Sequence, residues 1–151
     1  MIRRPPRSTL DRSSAASDVY KRQECQVVKK GNLEVEISSG SMTRLAGVSE
    51  GLVGAEGIHL AVATIPPGCA SSPHHHVNCE SAIYVSKGKG RFLTGPTLGT
   101  TLEIEEGDFL YVPQNSIHQP INDSLTDPME LIVARNTPVE IVEEFDPNSV
   151  K

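Results

Sequence analysis

Apolar and polar positions alternate with a period of two along much of this chain, in short stretches that stop at glycine or proline. Leu33-Glu34-Val35-Glu36-Ile37 alternates strictly, as a half-buried strand does. Ile58 to Ile65 is rich in β-branched residues and stops at Pro66-Pro67-Gly68. Ser81 to Val85 and Arg91 to Thr94 flank Gly88-Lys89-Gly90, which reads as a hairpin turn. Leu102-Glu103-Ile104 runs into a turn at Glu106-Gly107-Asp108, followed by Phe109 to Val112 and a stop at Pro113. Ile117 to Ile121 and Met129 to Ala134 continue the series, and Val139 to Phe145 is a weaker closing element expected at a sheet edge. No stretch has the 3.6-residue period of an amphipathic helix of ordinary length. Many short strands at this spacing predict an all-β barrel or sandwich.

The first 23 residues do not share this pattern. MIRRPPRSTL resembles the conceptual translation of a short-read sequencing adaptor, and Ser13 to Gln23 resembles the translated transposon end of the same adaptor family. Leu10, Asp11 and Arg12 stand where a variable index would be. A cleavable leader fits less well, because the stretch carries two Pro, Asp11 and Asp18 and no apolar stripe. Residues 1–23 are therefore expected to be a non-native, disordered leader, with one domain over 24–151 and its barrel core at about 56–136. The true start of the protein is then not visible.

Removing that segment takes away six basic and two acidic residues, so the formal net charge moves from −5 to −9. That balance, with Lys29-Lys30 the single basic pair left besides the hairpin lysines, argues against nucleic acid or an anionic membrane as partner. The length suits one modest core, and no apolar run approaches a membrane span. Cys25, Cys69 and Cys79 are odd in number and not spaced as CxxC, which fits reduced thiols and a cytoplasmic protein. Cys79 beside Glu80 is read as a small apolar residue rather than a soft ligand.

The chemistry lies in two segments, PPGCASSPHHHVNCESAIYVSKG from Pro66 to Gly88 and GDFLYVPQNSIHQPIN from Gly107 to Asn122. Along an extended strand, side chains two apart share a face, so His74 and His76 point together and His75 points away. Glu80 is expected from the next strand and His118 from the opposite side of the barrel. Three imidazoles and a carboxylate suit one divalent transition metal: iron, manganese, nickel, copper or zinc. His59 is expected to line a pocket or the surface rather than bind the ion.

These two segments resemble the two motifs of the cupin family. The first motif, G(X)5HXH(X)3–4E(X)6G, is met by Gly68, His74, His76, Glu80 and, one residue late, Gly88. The second, G(X)5PXG(X)2H(X)3N, is met by Gly107, Pro113, His118 and Asn122, with Asn115 replacing the inner Gly. Asn tolerates the left-handed backbone such a turn requires. The late Gly88 leaves a choice of register. Counted from the histidines the fourth ligand is Glu80; counted back from Gly88, Ser81 faces the site. A carboxylate binds a divalent ion far better than a hydroxyl, so Glu80 is expected, with a bulge or longer turn absorbing the extra residue. The resemblance implies a double-stranded β-helix, or jelly-roll, barrel with one bound metal, and a homodimer.

Other polar side chains carry less. Tyr84, Arg91, Tyr111, Gln114 and Gln119 lie near the motifs and are candidates for orienting a substrate, although packing accounts for the tyrosines. Lys87, Lys89 and Arg91 read as a solvated turn, Asp108 as its own turn's cap, and Glu140, Glu143, Glu144 and Asp146 as a solvated tail. Three functions fit: a metal-dependent dioxygenase, isomerase, lyase or decarboxylase acting on a small oxygenated metabolite; a non-catalytic barrel for a sugar or organic acid; and a metal-free structural barrel, which the full ligand set disfavours. The fold does not choose among them.

Overall fold

The computed structural model describes residues 24–149, and the leader assignment for residues 1–23 lies outside them. Eleven strands form two antiparallel sheets. The first holds β1 (Glu34–Glu36), β2 (Thr43–Val48), β3 (His59–Ile65), β10 (Met129–Arg135), β5 (Ser81–Lys87) and β8 (Phe109–Val112), in that order. The second holds β11 (Val142–Glu144), β4 (His74–His76), β9 (His118–Ile121), β6 (Lys89–Thr94) and β7 (Thr100–Glu105). From β3 onward the chain passes back and forth between the two sheets, with β6 and β7 the one consecutive pair that stays in the same sheet, which is the winding of a jelly-roll barrel. The all-β expectation holds. The single α-helix among the described residues, α1 (Glu50–Val53), is one turn capped by Ser49, whose hydroxyl accepts from the Leu52 amide at 3.1 Å.

One sequence expectation needs correction, and one strand was not anticipated. Gly88 does not close a hairpin, because β5 and β6 belong to different sheets. The chain turns a corner there with Gly88 at φ +83°, and a Cβ would stand 2.9 Å from the Pro128 carbonyl oxygen, so only glycine fits. The turn at Gly107 is likewise a crossing from β7 to β8. Strand β2, TRLAGV, was not anticipated. Its alternation is interrupted by Gly47, and it is fixed by pairing with β1 and β3.

The core lies between the sheets. Ile65, Val85, Met129 and Leu131 are essentially inaccessible, and Ala63, Ile83, Phe92, Ile104 and Val112 pack with them. Removing one such large side chain costs about 2–5 kcal/mol. Asn122 is a polar clasp at the edge of this core. Its amide nitrogen donates to the carbonyls of Ile65 (3.0 Å) and Asp127 (2.8 Å), and its oxygen accepts from the Ser124 amide (3.1 Å). A buried side chain satisfied in this way fixes how the loop before β10 returns to the barrel.

Candidate metal centre

Strands β4 and β9 are neighbours, with His74 and His118 directly opposite each other. The third imidazole follows from strand alternation: His74 and His76 are buried, while His75 turns outward, its Nε2 3.1 Å from Glu143. His118 therefore reaches the cluster from the adjacent strand of the same sheet, not from across the barrel. The ring centroids of His74 and His118 are 4.5 Å apart, those of His74 and His76 5.1 Å, and those of His76 and His118 5.3 Å. Phe92 stacks on His118 at 5.4 Å with ring planes 8° apart, which holds that imidazole from its far side. Asn115, at φ +65°, takes the left-handed turn before His118, and its amide donates to the His76 carbonyl at 2.8 Å.

The hydrogen bonds assign the ring protons. The Nδ1 of His74 donates to the Ser72 carbonyl at 2.7 Å, and that of His118 to the Ser116 carbonyl at 2.8 Å. A carbonyl only accepts, so each ring carries its proton on Nδ1 and presents Nε2 as a lone pair. One nitrogen from each of the three rings lies within 4.8 Å of the others. Burial, then the neighbouring His74, pushes the pKa of His118 down to about 3, and burial lowers that of His74 as well. Both rings are neutral at ordinary pH, the state a metal needs. The donor set fits a borderline divalent ion.

Glu80 is not brought to this cluster. It is exposed, and its Oε2 accepts from the Tyr111 hydroxyl at 2.6 Å. The physical reason is register: β5 begins at Ser81, which pairs with Val112 and Arg135 and points inward, so Glu80 precedes the strand and faces out. Ser81, not Glu80, lines the cavity beside the histidines. Tyr84 and Tyr111 also face out, Arg91 pairs with Asp123 at 2.8 and 2.9 Å, Gln119 donates to the Ser71 carbonyl at 2.9 Å, and Gln114 to the Val77 carbonyl. None of these five lines the cavity. Cys79 is buried but outside it, its thiol pKa raised by burial, as a small apolar residue would sit. His59 is buried against Glu36, Nε2 to Oε1 2.5 Å, rather than lining the pocket.

The carboxylate that does reach the histidines is Glu140, which the sequence placed in a solvated tail. Its Oε2 lies 2.9 Å from His76 Nδ1, although no well-directed hydrogen bond forms there, and 3.1 Å from Arg135 Nη1. Its Oε1 accepts from Arg44 Nη2. Arg44 Nε in turn donates to Glu36 Oε2 at 2.7 Å. Burial raises the Glu140 carboxyl pKa, but the His76 contact and the two guanidiniums outweigh it and hold the group well below the usual carboxylate range. No local signal marks Glu140 in the sequence, because the segment holding it is placed by pairing. Strand β11 pairs with β4, Asn78 Nδ2 donates to the Val139 carbonyl at 2.9 Å, and the Ile141 amide donates to Asn78 Oδ1 at 2.8 Å.

The enclosed space next to the histidines is a cavity of about 40 Å³. Ser81, Arg44 and Glu140 supply its other polar groups, and Met42, Ile83, Phe92, Val112, Leu131 and Val133 much of its apolar wall. A groove of about 680 Å³ between β6, β7 and the loop after β9 is larger, but it is an open surface lined by Lys89, Glu103, Glu105, Asp108 and the paired Arg91 and Asp123. It contains no imidazole or thiol. The chemistry lies at the smaller cavity.

A protein-family model described as a cupin domain matches residues 61–135, which include all three clustered histidines. Among solved structures, the polyketide cyclase RemF of Streptomyces resistomycificus is similar with a TM-score of 0.68 and 20% identity, over 82% of this chain and 87% of that one. A predicted oxalate decarboxylase of Thermotoga maritima gives 0.62 and 20%, over 74% and 99%. A sugar phosphate isomerase of Silicibacter pomeroyi gives 0.63 and 18%, over 80% and 82%. At these identities the likeness is one of fold. No curated protein matches the sequence.

Proposed function

The chain belongs to the cupin superfamily, and from that premise we propose that it binds one divalent transition metal through His74, His76 and His118 and acts on a small oxygen-bearing metabolite. The observation that carries this reading is the pair of neutral imidazoles whose Nδ1 protons are committed to the Ser72 and Ser116 carbonyls, leaving Nε2 lone pairs free in a buried cavity. A bound ion supplies Lewis acidity toward an oxygen ligand or a template for dioxygen. Reactions of the dioxygenase, isomerase, lyase or decarboxylase type fit that chemistry. Related folds named as a cyclase, a decarboxylase and an isomerase support this range of reactions without choosing within it.

The chain's own groups limit the ligand. The charges of Arg44 and Arg135 are matched by those of Glu36 and Glu140, and His74 and His118 are neutral. A site of this kind leaves a divalent ion poorly compensated and so favours an anionic oxygen ligand such as a carboxylate or enolate. Ser81 is the one hydroxyl among the cavity-lining residues and is placed to hydrogen-bond it. The apolar wall built on Phe92, Val112 and Leu131 keeps water from the reacting atoms. A second reading, a non-catalytic barrel holding a sugar or organic acid, is favoured by that same wall and by the locked state of Glu140, a poor general base.

The test is elemental analysis of protein purified without chelators, in air and anaerobically in parallel. Near-stoichiometric iron, manganese, nickel, copper or zinc is expected. No metal after reconstitution with each of these ions overturns the reading.

A homodimer in the cytoplasm completes the proposal. The described cysteines are free, and no described helix is long and apolar enough to cross a membrane. Support for the dimer comes from the outer face of the six-stranded sheet, where the register aligns Val35, Leu45, Val62, Ile132, Tyr84 and Phe109 into one apolar row across all six strands. Val35 and Phe109 are each 80% exposed. At about 4.8 Å per strand this row spans roughly 24 Å, and a two-fold axis would lay it against itself in reverse. Light scattering tests this: a monomer at micromolar concentration overturns it.

A further inference from the structure

Each imidazole of the cluster needs its second nitrogen fixed, and the three do not solve this in the same way. His74 and His118 each use the main-chain carbonyl two residues earlier, Ser72 and Ser116. His76 has no such carbonyl bond; the group at its Nδ1 is the Glu140 carboxylate, 2.9 Å away. That carboxylate is itself immobile. Arg44 grips one oxygen and Arg135 the other, and Arg135 also holds the approaching chain through the Thr137 and Pro138 carbonyls at 3.0 and 2.9 Å. The backbone carrying Glu140 is fixed on both sides by Asn78 and by the β11–β4 pairing.

We propose that Glu140 is the positioning residue for His76, so that the segment leading into β11, and not the histidine motifs alone, completes the metal centre. This rests on the metal reading of the site. A carboxylate at Nδ1 selects the tautomer with its lone pair on Nε2, sets the ring plane and makes the ligand nitrogen more basic, and loss of such a partner typically lowers metal affinity 10- to 100-fold. Glu140 thus supplies the carboxylate expected of Glu80, one bond further from the ion.

Cobalt(II) titration of the full chain, followed by its visible d–d bands and by competition with zinc, tests this. Glu140→Gln keeps the shape and an acceptor oxygen but lacks the charge; it is expected to weaken cobalt binding about tenfold and to shift the bands. Glu140→Ala should weaken binding further. If the alanine variant does not fold because Arg44 and Arg135 are left unmatched, the glutamine variant still decides the question. Glu143→Gln, three residues further along in β11 and facing His75, should bind as the wild type does. Cobalt affinity and spectrum unchanged in Glu140→Gln, with His118→Ala losing the ion, overturn the role of Glu140 alone. No cobalt uptake by the wild type overturns both this inference and the metal reading.

Discussion

Two polar clusters lie side by side in this barrel, and they are finished to different degrees. In the network of Glu36, Arg44, Arg135 and Glu140, two carboxylates meet two guanidiniums and each charge has a partner. In the triad of His74, His76 and His118, two Nδ1 atoms are held by main-chain carbonyls and the third stands 2.9 Å from Glu140, while one nitrogen of each ring lies within 4.8 Å of the others. A balanced buried network is scaffolding, since replacing or removing a member leaves a charge unmatched. A buried set of imidazole nitrogens facing one another is an arrangement that a divalent ion would satisfy. The difference sets a charge-balanced scaffold beside a candidate binding site within one cavity.

The comparison can be broken most decisively at the triad. His118→Ala is expected to take bound metal from about one equivalent to none by elemental analysis, and retained stoichiometric metal would erase the distinction. Next in size is the network. Arg44→Met leaves Glu36 and Glu140 short of a cation and should cost about 3–5 kcal/mol in denaturant unfolding, the usual cost of stripping one partner from a buried pair. A loss below about 1 kcal/mol would mean the network is solvated.

A third, smaller effect is pH. The unfolded His118 titrates at 6.5 and the folded one at about 3, so between these values the unfolded chain binds more protons. Stability of the metal-free protein is therefore full above pH 6.5 and is lost progressively as pH falls toward 3. The lowered Glu140 carboxyl adds a loss of the same sign below the ordinary glutamate value of 4.5. Thermal melts flat across that window would contradict the burial of the triad. Smallest is Glu80→Gln, which touches an exposed contact with Tyr111. It should change stability by under about 1 kcal/mol and leave metal stoichiometry intact; loss of metal would return Glu80 to the site.

What could be read in the chain follows how local each determinant is. The HxH alternation and the left-handed turn at Asn115 are set by neighbours a few residues away, and both stand in the structure as the spacing implied. The Glu80 expectation failed over a single residue. A period of two inverts every side chain when a strand starts one position later, and chemical preference for a carboxylate outweighed register in the reading of the sequence. Glu140 was out of reach because the tail acids look alike in sequence. The Asn78 bonds on either side of Glu140 and the pairing of β11 with β4 distinguish an inward Glu140 from an outward Glu143. Strand β2, with its interior glycine, took its conformation from tertiary contacts.

The pairing of β11 with β4 also sets an order of events in the making of the molecule. The histidine strands leave the ribosome first, and they can collapse on each other while the chain is still growing. Strand β11 emerges after them, and until it docks, His76 faces a nascent barrel without the Glu140 carboxylate. On the proposed metal reading, ion capture at full strength would wait for the docking of β11. A chain lacking residue 140 would carry all three clustered histidines without that carboxylate, and on the proposed reading retention of the ion would then record whether β11 had docked.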